Sequence, residues 1–224
     1  MKRHAARLFL PPLLALALYF PLGTWFQGDD FLAITYAREW ANTCHDLTGP
    51  QYGLTGHTLF WRPLVTLSFF VESRLFGGDP FGYHLDNALV HALNTLLLSL
   101  VLRRLVGRRW AFRAALLWAL HPVQAFSVMW IVGRVDVHAT FWMLLALLCI
   151  LRRAEGKGGL LPALAAGAAA LATKEMALVL PPLAALLLWF AGEKKEERGR
   201  RLRRTLAGAL PLFALLPPDS LPPL

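Results

Sequence analysis

Cysteine is nearly missing from this chain. Cys44 and Cys149 are the two cysteines among 224 residues, which gives no disulfide framework. Cys149 lies inside an apolar run and Cys44 in a polar stretch, so no bridge between them is expected. A metal motif is missing too: His84 and His91 are two helical turns apart, too far to chelate one ion without other ligands. No cofactor is therefore expected, and no motif supports a divalent cation. No small-x-small cleavage site follows the first apolar run, where Trp25 suits an interfacial anchor. That run is expected to stay on the protein as an uncleaved signal anchor.

What the chain has is apolar surface. Hydrophobic residues make up 56% and mean hydropathy is +0.47, above the share of about 45–50% in soluble domains. The runs predict an all-α polytopic membrane protein with about six transmembrane helices and an incomplete seventh. Spans are expected from residues 8, 81, 110, 138, 160 and 176 onward. The first, at residues 8–26, is bent by Pro11, Pro12 and Pro21. The seventh starts at Thr205 and stalls at Leu216-Pro217-Pro218. Residues 1–216 read as one transmembrane module, part of a longer one, and residues 217–224 as a Pro-rich tail.

The net charge of +9 raises nucleic acid as a partner, and its distribution decides against it. Eighteen of the 23 Lys and Arg lie in four clusters, at every second loop between apolar runs. The other five, Arg38, Arg62, Arg74, Arg134 and Lys174, share the intervening loops with nine acids. This is the positive-inside pattern, and it puts the N-terminus in the cytoplasm of a multi-pass inner (plasma) membrane protein. The partner it calls for is the lipid bilayer.

The long first outer loop, residues 27–83, is expected to carry short amphipathic helices. One spans residues 31–40; residues 42–56, rich in Gly, Thr, Asn and Pro, read as irregular. Pro63 suits the first turn of a helix running to Phe76, too short to span and lying at the membrane surface or re-entering. In the second span, His84, Asn87, His91 and Asn94 are spaced 3, 4 and 3 and so share one face. Polar groups are costly in lipid, so this face turns inward. It serves as interhelical hydrogen bonding, as the wall of a substrate cleft, or as both.

The candidate catalytic residues are Asp29 and Asp30, adjacent carboxylates where the first run meets water. Helix capping explains one of them and not two. With them the topology gathers Arg62, His84, Asn87, His91, His121, Gln124, Arg134, Asp136, Lys174 and Glu175 at the outer face. A carboxylate can act as general base on an acceptor hydroxyl. Arg and Lys can neutralise charge on a departing phosphate. Arg62, Arg134 and Lys174 are the candidates for a lipid phosphate, and the remainder form the cleft wall.

Five motifs in this order resemble one family. They are Asp29-Asp30; Arg62-Pro63-Leu64; the His84, Asn87, His91, Asn94 face; the stretch from His121-Pro122-Val123-Gln124 to Gly133-Arg134-Val135-Asp136; and Thr173-Lys174-Glu175. The chain resembles the N-terminal part of GT-C superfamily glycosyltransferases, most closely bacterial relatives of the transmembrane-and-tetratricopeptide-repeat protein O-mannosyltransferases. The resemblance implies an enzyme that moves a sugar from a polyprenyl-phosphate donor to a protein or glycan acceptor at the outer face. It implies that the acidic pair contains the base. The family commonly has a Glu soon after His-Pro-x-Gln, where this chain has Ala125-Phe126. The alternative to a transferase is a non-catalytic polytopic protein, a transporter or assembly scaffold, whose polar helix face is structural.

Overall fold

A computed structural model describes residues 2–21, 24–53, 60–191 and 198–213. The described residues form helices and turns, with no strand among them. Residues 22–23 after the first run, residues 54–59 of the first loop and the expected tail at 217–224 lie outside them.

Helix α1, Lys2–Leu18, keeps Pro11 and Pro12 inside it and ends before residue 26, the end expected from composition. Pro21 removes a backbone donor and disfavours helix at the residue before it. Helices α2, Asp29–Ala37, and α3, Trp40–Thr48, follow. The second corrects the expectation of irregular structure over residues 42–56. Its polar sequence is held by Asp46, fully buried, which accepts from Tyr36 Oη at 2.9 Å, Thr66 Oγ1 at 2.7 Å and the Tyr52 N–H at 3.2 Å. Burial and the bond to Asp46 push the Tyr36 phenol up to about 12.

Helix α4, Pro63–Phe76, has the expected proline in its first turn. Helix α5, Pro80–Leu105, is the longest; Asp79 caps it by accepting from the Phe81 N–H at 3.0 Å. Helix α6, Gly107–Leu120, stops before Pro122, and the short α7, Gln124–Met129, follows. Helix α8, Arg134–Ala154, leads to α9, Leu161–Leu171, to a 3-10 turn at Glu175–Val179 and to α10, Leu180–Ala191. Helix α11, Arg198–Phe213, starts before Thr205 and takes in part of the basic stretch.

At the centre α5 packs against α1, α6 and α8, while α9 lies on α8 and α11 on α10. Small residues allow these approaches: Ala163, Ala166 and Ala170 on α9, and Ala184 on α10, are buried. Helices α2 and α3 lie on α4 and cover one end of the bundle. There Ala33, Ile34, Ala37, Val65, Phe69, Tyr83, Ile131 and Val135 form a separate apolar cluster.

Two helices, α5 and α8, are long and apolar enough to cross a membrane. The bundle also shows apolar side chains on its outside; Leu117 is 69% and Leu161 76% exposed. Exposed apolar surface of this kind is costly in water and suits lipid.

Candidate functional site

The two acids that begin α2 face opposite ways. Asp29 is exposed and has no hydrogen-bond partner among the described residues. Asp30 is fully buried; its Oδ2 accepts from the Gln27 N–H and its Oδ1 from the Val132 N–H, both at 3.0 Å. Asp30 thus pins the start of α2 to the turn before α8. Burial pushes its carboxyl above the usual range, against the two N–H bonds and the charges of His84 and Arg134, which pull it down. Gly28, with φ +50°, makes the turn that separates the pair from α1.

Arg134 is 0% exposed. Its Nη1 donates to Glu72 Oε2 and, at 3.1 Å, to Ser68 Oγ; its Nε donates to the Ile131 carbonyl at 3.3 Å. The guanidinium also lies 4.1 Å from the Phe69 ring centroid. This arginine fastens α8 to α4, and the sequence had offered it to a lipid phosphate. Asp136, two residues on, pairs with Lys174 instead, so the two do not bridge each other. Arg62 forks onto Glu175, Nη2 to Oε1 at 2.6 Å and Nε to Oε2 at 3.0 Å. The carboxylates of these last two pairs are open, with side chains 45% exposed for Asp136 and 48% for Glu175.

Three members of the polar face of α5 bond to main-chain carbonyls of α6, of α8 and of the turn between α7 and α8. Asn87 Nδ2 donates to Trp130 O at 2.9 Å, Asn94 Nδ2 donates to Val137 O at 2.8 Å, and His91 Nε2 lies 3.3 Å from Ala119 O. His91 also stacks with Trp118 and meets Tyr19 edge to face. His84 lines the first of the cavities described below, and its Nε2 lies 3.2 Å from Trp25 O. His121 is exposed, its Nδ1 accepting from the Val123 N–H at 3.2 Å, and Gln124, half-buried, opens α7.

Two cavities open on this part of the molecule. The first, about 670 Å³, is walled by Tyr19, Trp25, Gly28, His84, Phe126 and Trp130 among others, with no carboxylate among its lining residues. The second, about 430 Å³, lies between α4, α5 and α8 and includes Glu72, Asp86 and His138. Tyr52, at φ +61°, lies where charges from four segments meet: Arg134, Asp46, Arg62 and Asp29 all act on its phenol, and burial pushes that phenol up. Among the described residues no three His, Cys, Asp or Glu side chains converge as a metal site requires.

Sequence reasoning passed over Glu72, Asp86 and His138. The available signal was Arg134, since a buried arginine requires an acid beside it.

Two helices long and apolar enough to cross a membrane, with acids and cations from distant segments paired with one another, are the features of a membrane protein with a polar site. The sequence profile of the dolichyl-phosphate-mannose-protein mannosyltransferases matches residues 63–217, and the chain belongs to that family. It is 36% identical over 154 residues to protein O-mannosyl-transferase TMTC2 of Mus musculus, 65% of this chain and 18% of that protein. Against TMTC2 of Xenopus laevis it is 37% identical over 159 residues, 66% of this chain and 19% of that one. Tmtc1 of Drosophila melanogaster is 36% identical over 176 residues, 74% of this chain and 20% of its own length. The chain thus spans about a fifth of the length of these curated relatives. No solved structure matches it.

Proposed function

We propose that this chain is the N-terminal part of a membrane glycosyltransferase that moves a sugar from a polyprenyl phosphate to a hydroxyl at the outer face. Asp29 is the general base, taking the proton of the acceptor hydroxyl as the new glycosidic bond forms. The observation that carries this is the contrast within the acidic pair. Asp30 has both oxygens occupied by backbone N–H groups, while Asp29 is open and adjoins Gly28, part of the first cavity's wall.

The isoprenoid part of the donor lies in the first cavity, which is apolar and has no carboxylate to repel a phosphate; His84 is a polar group on its wall. Arg62 and Lys174 serve the phosphate, which displaces the open carboxylates of Glu175 and Asp136. Arg134 holds the frame in which they stand, and His121 and Gln124 lie toward the acceptor. Family membership and the mannosyltransferase names of the relatives support transfer of a hexose to protein.

In the membrane, α1, α6, α9 and α10 join α5 and α8 as spans, with α11 beginning a seventh. Residues 1–216 then form one transmembrane module, its N-terminus cytoplasmic, in the inner membrane. The three α5 side chains bonded to main-chain carbonyls favour a second reading, a non-catalytic polytopic protein with a structural polar face.

One assay separates the two. Membranes carrying the full-length protein, supplied with labelled polyprenyl-phosphate sugars, are expected to transfer sugar, and Asp29→Asn to lower the rate by about 10²–10⁴-fold with insertion unchanged. Transfer at the wild-type rate by Asp29→Asn removes the assigned base. No transfer by the wild-type protein from any such donor favours the non-catalytic reading.

A further inference from the structure

The second cavity shares no lining residue with the first; Glu72, Asp86 and His138 lie in its wall, with Arg134 behind Glu72. Arg134 donates to Glu72 Oε2; Asp86 Oδ2 lies 2.8 Å from His138 Nε2. Glu72 and Asp86 both line this cavity, and each carboxyl acts on the other. Glu72 is 6% exposed, and its Oε1 is buried without a hydrogen-bond partner among the described residues. The rest of the wall is largely apolar, with Leu64, Leu67, Val71, Leu85 and Trp142 among it.

Two like charges side by side in such a wall are unstable. Arg134 cancels one of the two negative charges, which leaves one in excess on the acid pair. A single added proton removes that excess and gives Glu72 Oε1 the partner it lacks. We propose that Glu72 and Asp86 form a proton-binding site in the wall of the second cavity, one proton shared between two carboxyls, with His138 as the group through which it exchanges. The pair titrates as a unit.

Because Glu72 stands on α4, Asp86 on α5 and His138 on α8, the bound proton draws three helices together. Arg134 from α8 and Asp86 and Tyr83 from α5 interact with Glu72, and His138 from α8 pairs with Asp86. Asp30 and Arg38 of α2 act on their neighbours Arg134 and Tyr83, and Asp46 of α3 reaches α4 at Thr66. Burial, ahead of the charge of Asp86, pushes the Glu72 carboxyl up to about 7 against the pull of Arg134. Its folded value lies above its unfolded one, so its contribution to stability is present in acid and is lost as pH rises through neutrality.

The inference stands apart from the transferase reading, and its test needs no transfer assay. The full-length protein in lipid nanodiscs is followed by infrared spectroscopy and by thermal unfolding between about pH 5 and about pH 8. A protonated-carboxyl stretch that disappears on titration near neutrality is expected, with a melting temperature about 5 °C or more lower at the alkaline end. Glu72→Gln and Asp86→Asn should each abolish the band, and Glu72→Gln should flatten the pH dependence of melting. His138→Gln should keep the band and slow its exchange. If Glu72→Gln does not fold, wild type and Asp86→Asn decide. A wild-type spectrum with no carboxyl titrating in this window, or a band that survives in Asp86→Asn, overturns the proposal.

Discussion

One peptide bond separates Asp29 from Asp30, and a hydrogen bond arriving from 102 residues away makes them different. The Val132 N–H turns Asp30 inward and leaves Asp29 outside. Asp30→Asn is expected to weaken two N–H bonds at a buried position and lower stability by about 1–3 kcal/mol, read as a fall in melting temperature. Sugar transfer at temperatures where Asp30→Asn stays folded should persist, in contrast to Asp29→Asn. Arg62→Lys removes the fork onto Glu175 and is expected to raise the donor KM with a smaller effect on kcat, as loss of binding common to ground and transition states would. The acidic pair was legible in the sequence as the point where a new helix opens after the first run. Which acid points where was not, because the deciding donor is a main-chain group with no residue signature.

Among the helices, α4, α5 and α8 were legible because each carries a local mark. Pro63 opens α4, the 3-4-3 spacing of polar residues defines a face of α5, and the apolar run from residue 138 marks α8, which begins four residues earlier at Arg134. Helix α3 was illegible, since Asn42, Thr43, His45 and Asp46 read as loop and only the bonds from Tyr36, Thr66 and Tyr52 make a helix of them. The turn between α7 and α8 depends on Gly133 for a steric reason. A Cβ there would lie 2.5 Å from the Ser127 carbonyl oxygen, which is backbone and cannot swing aside. Gly133→Ala should therefore cost about 1–3 kcal/mol. Gly78→Ala, with nothing within 4 Å of its Cβ, is the control that should melt as wild type.

Taken as a whole, the molecule has its positive clusters and its acid-bearing loops at alternate turns of the chain. That asymmetry is how a bundle with an apolar exterior is oriented in a membrane. The proposed topology puts α2, α3 and the paired residues Arg62, Glu175, Lys174 and Asp136 on one side, and the basic ends of α5 and α8, with Arg103, Arg104, Arg152 and Arg153, on the other. Cys44, exposed on α3, is a native reporter of the first side. With Cys149 replaced by Ser, a membrane-impermeant maleimide added to intact cells is expected to label Cys44 fully. A cysteine introduced as Arg153→Cys, in a chain that has Cys44→Ser as well, should react only after the membrane is permeabilised. Labelling of Cys44 only after permeabilisation would put the Asp29 end of the bundle in the cytoplasm and contradict transfer at the outer face.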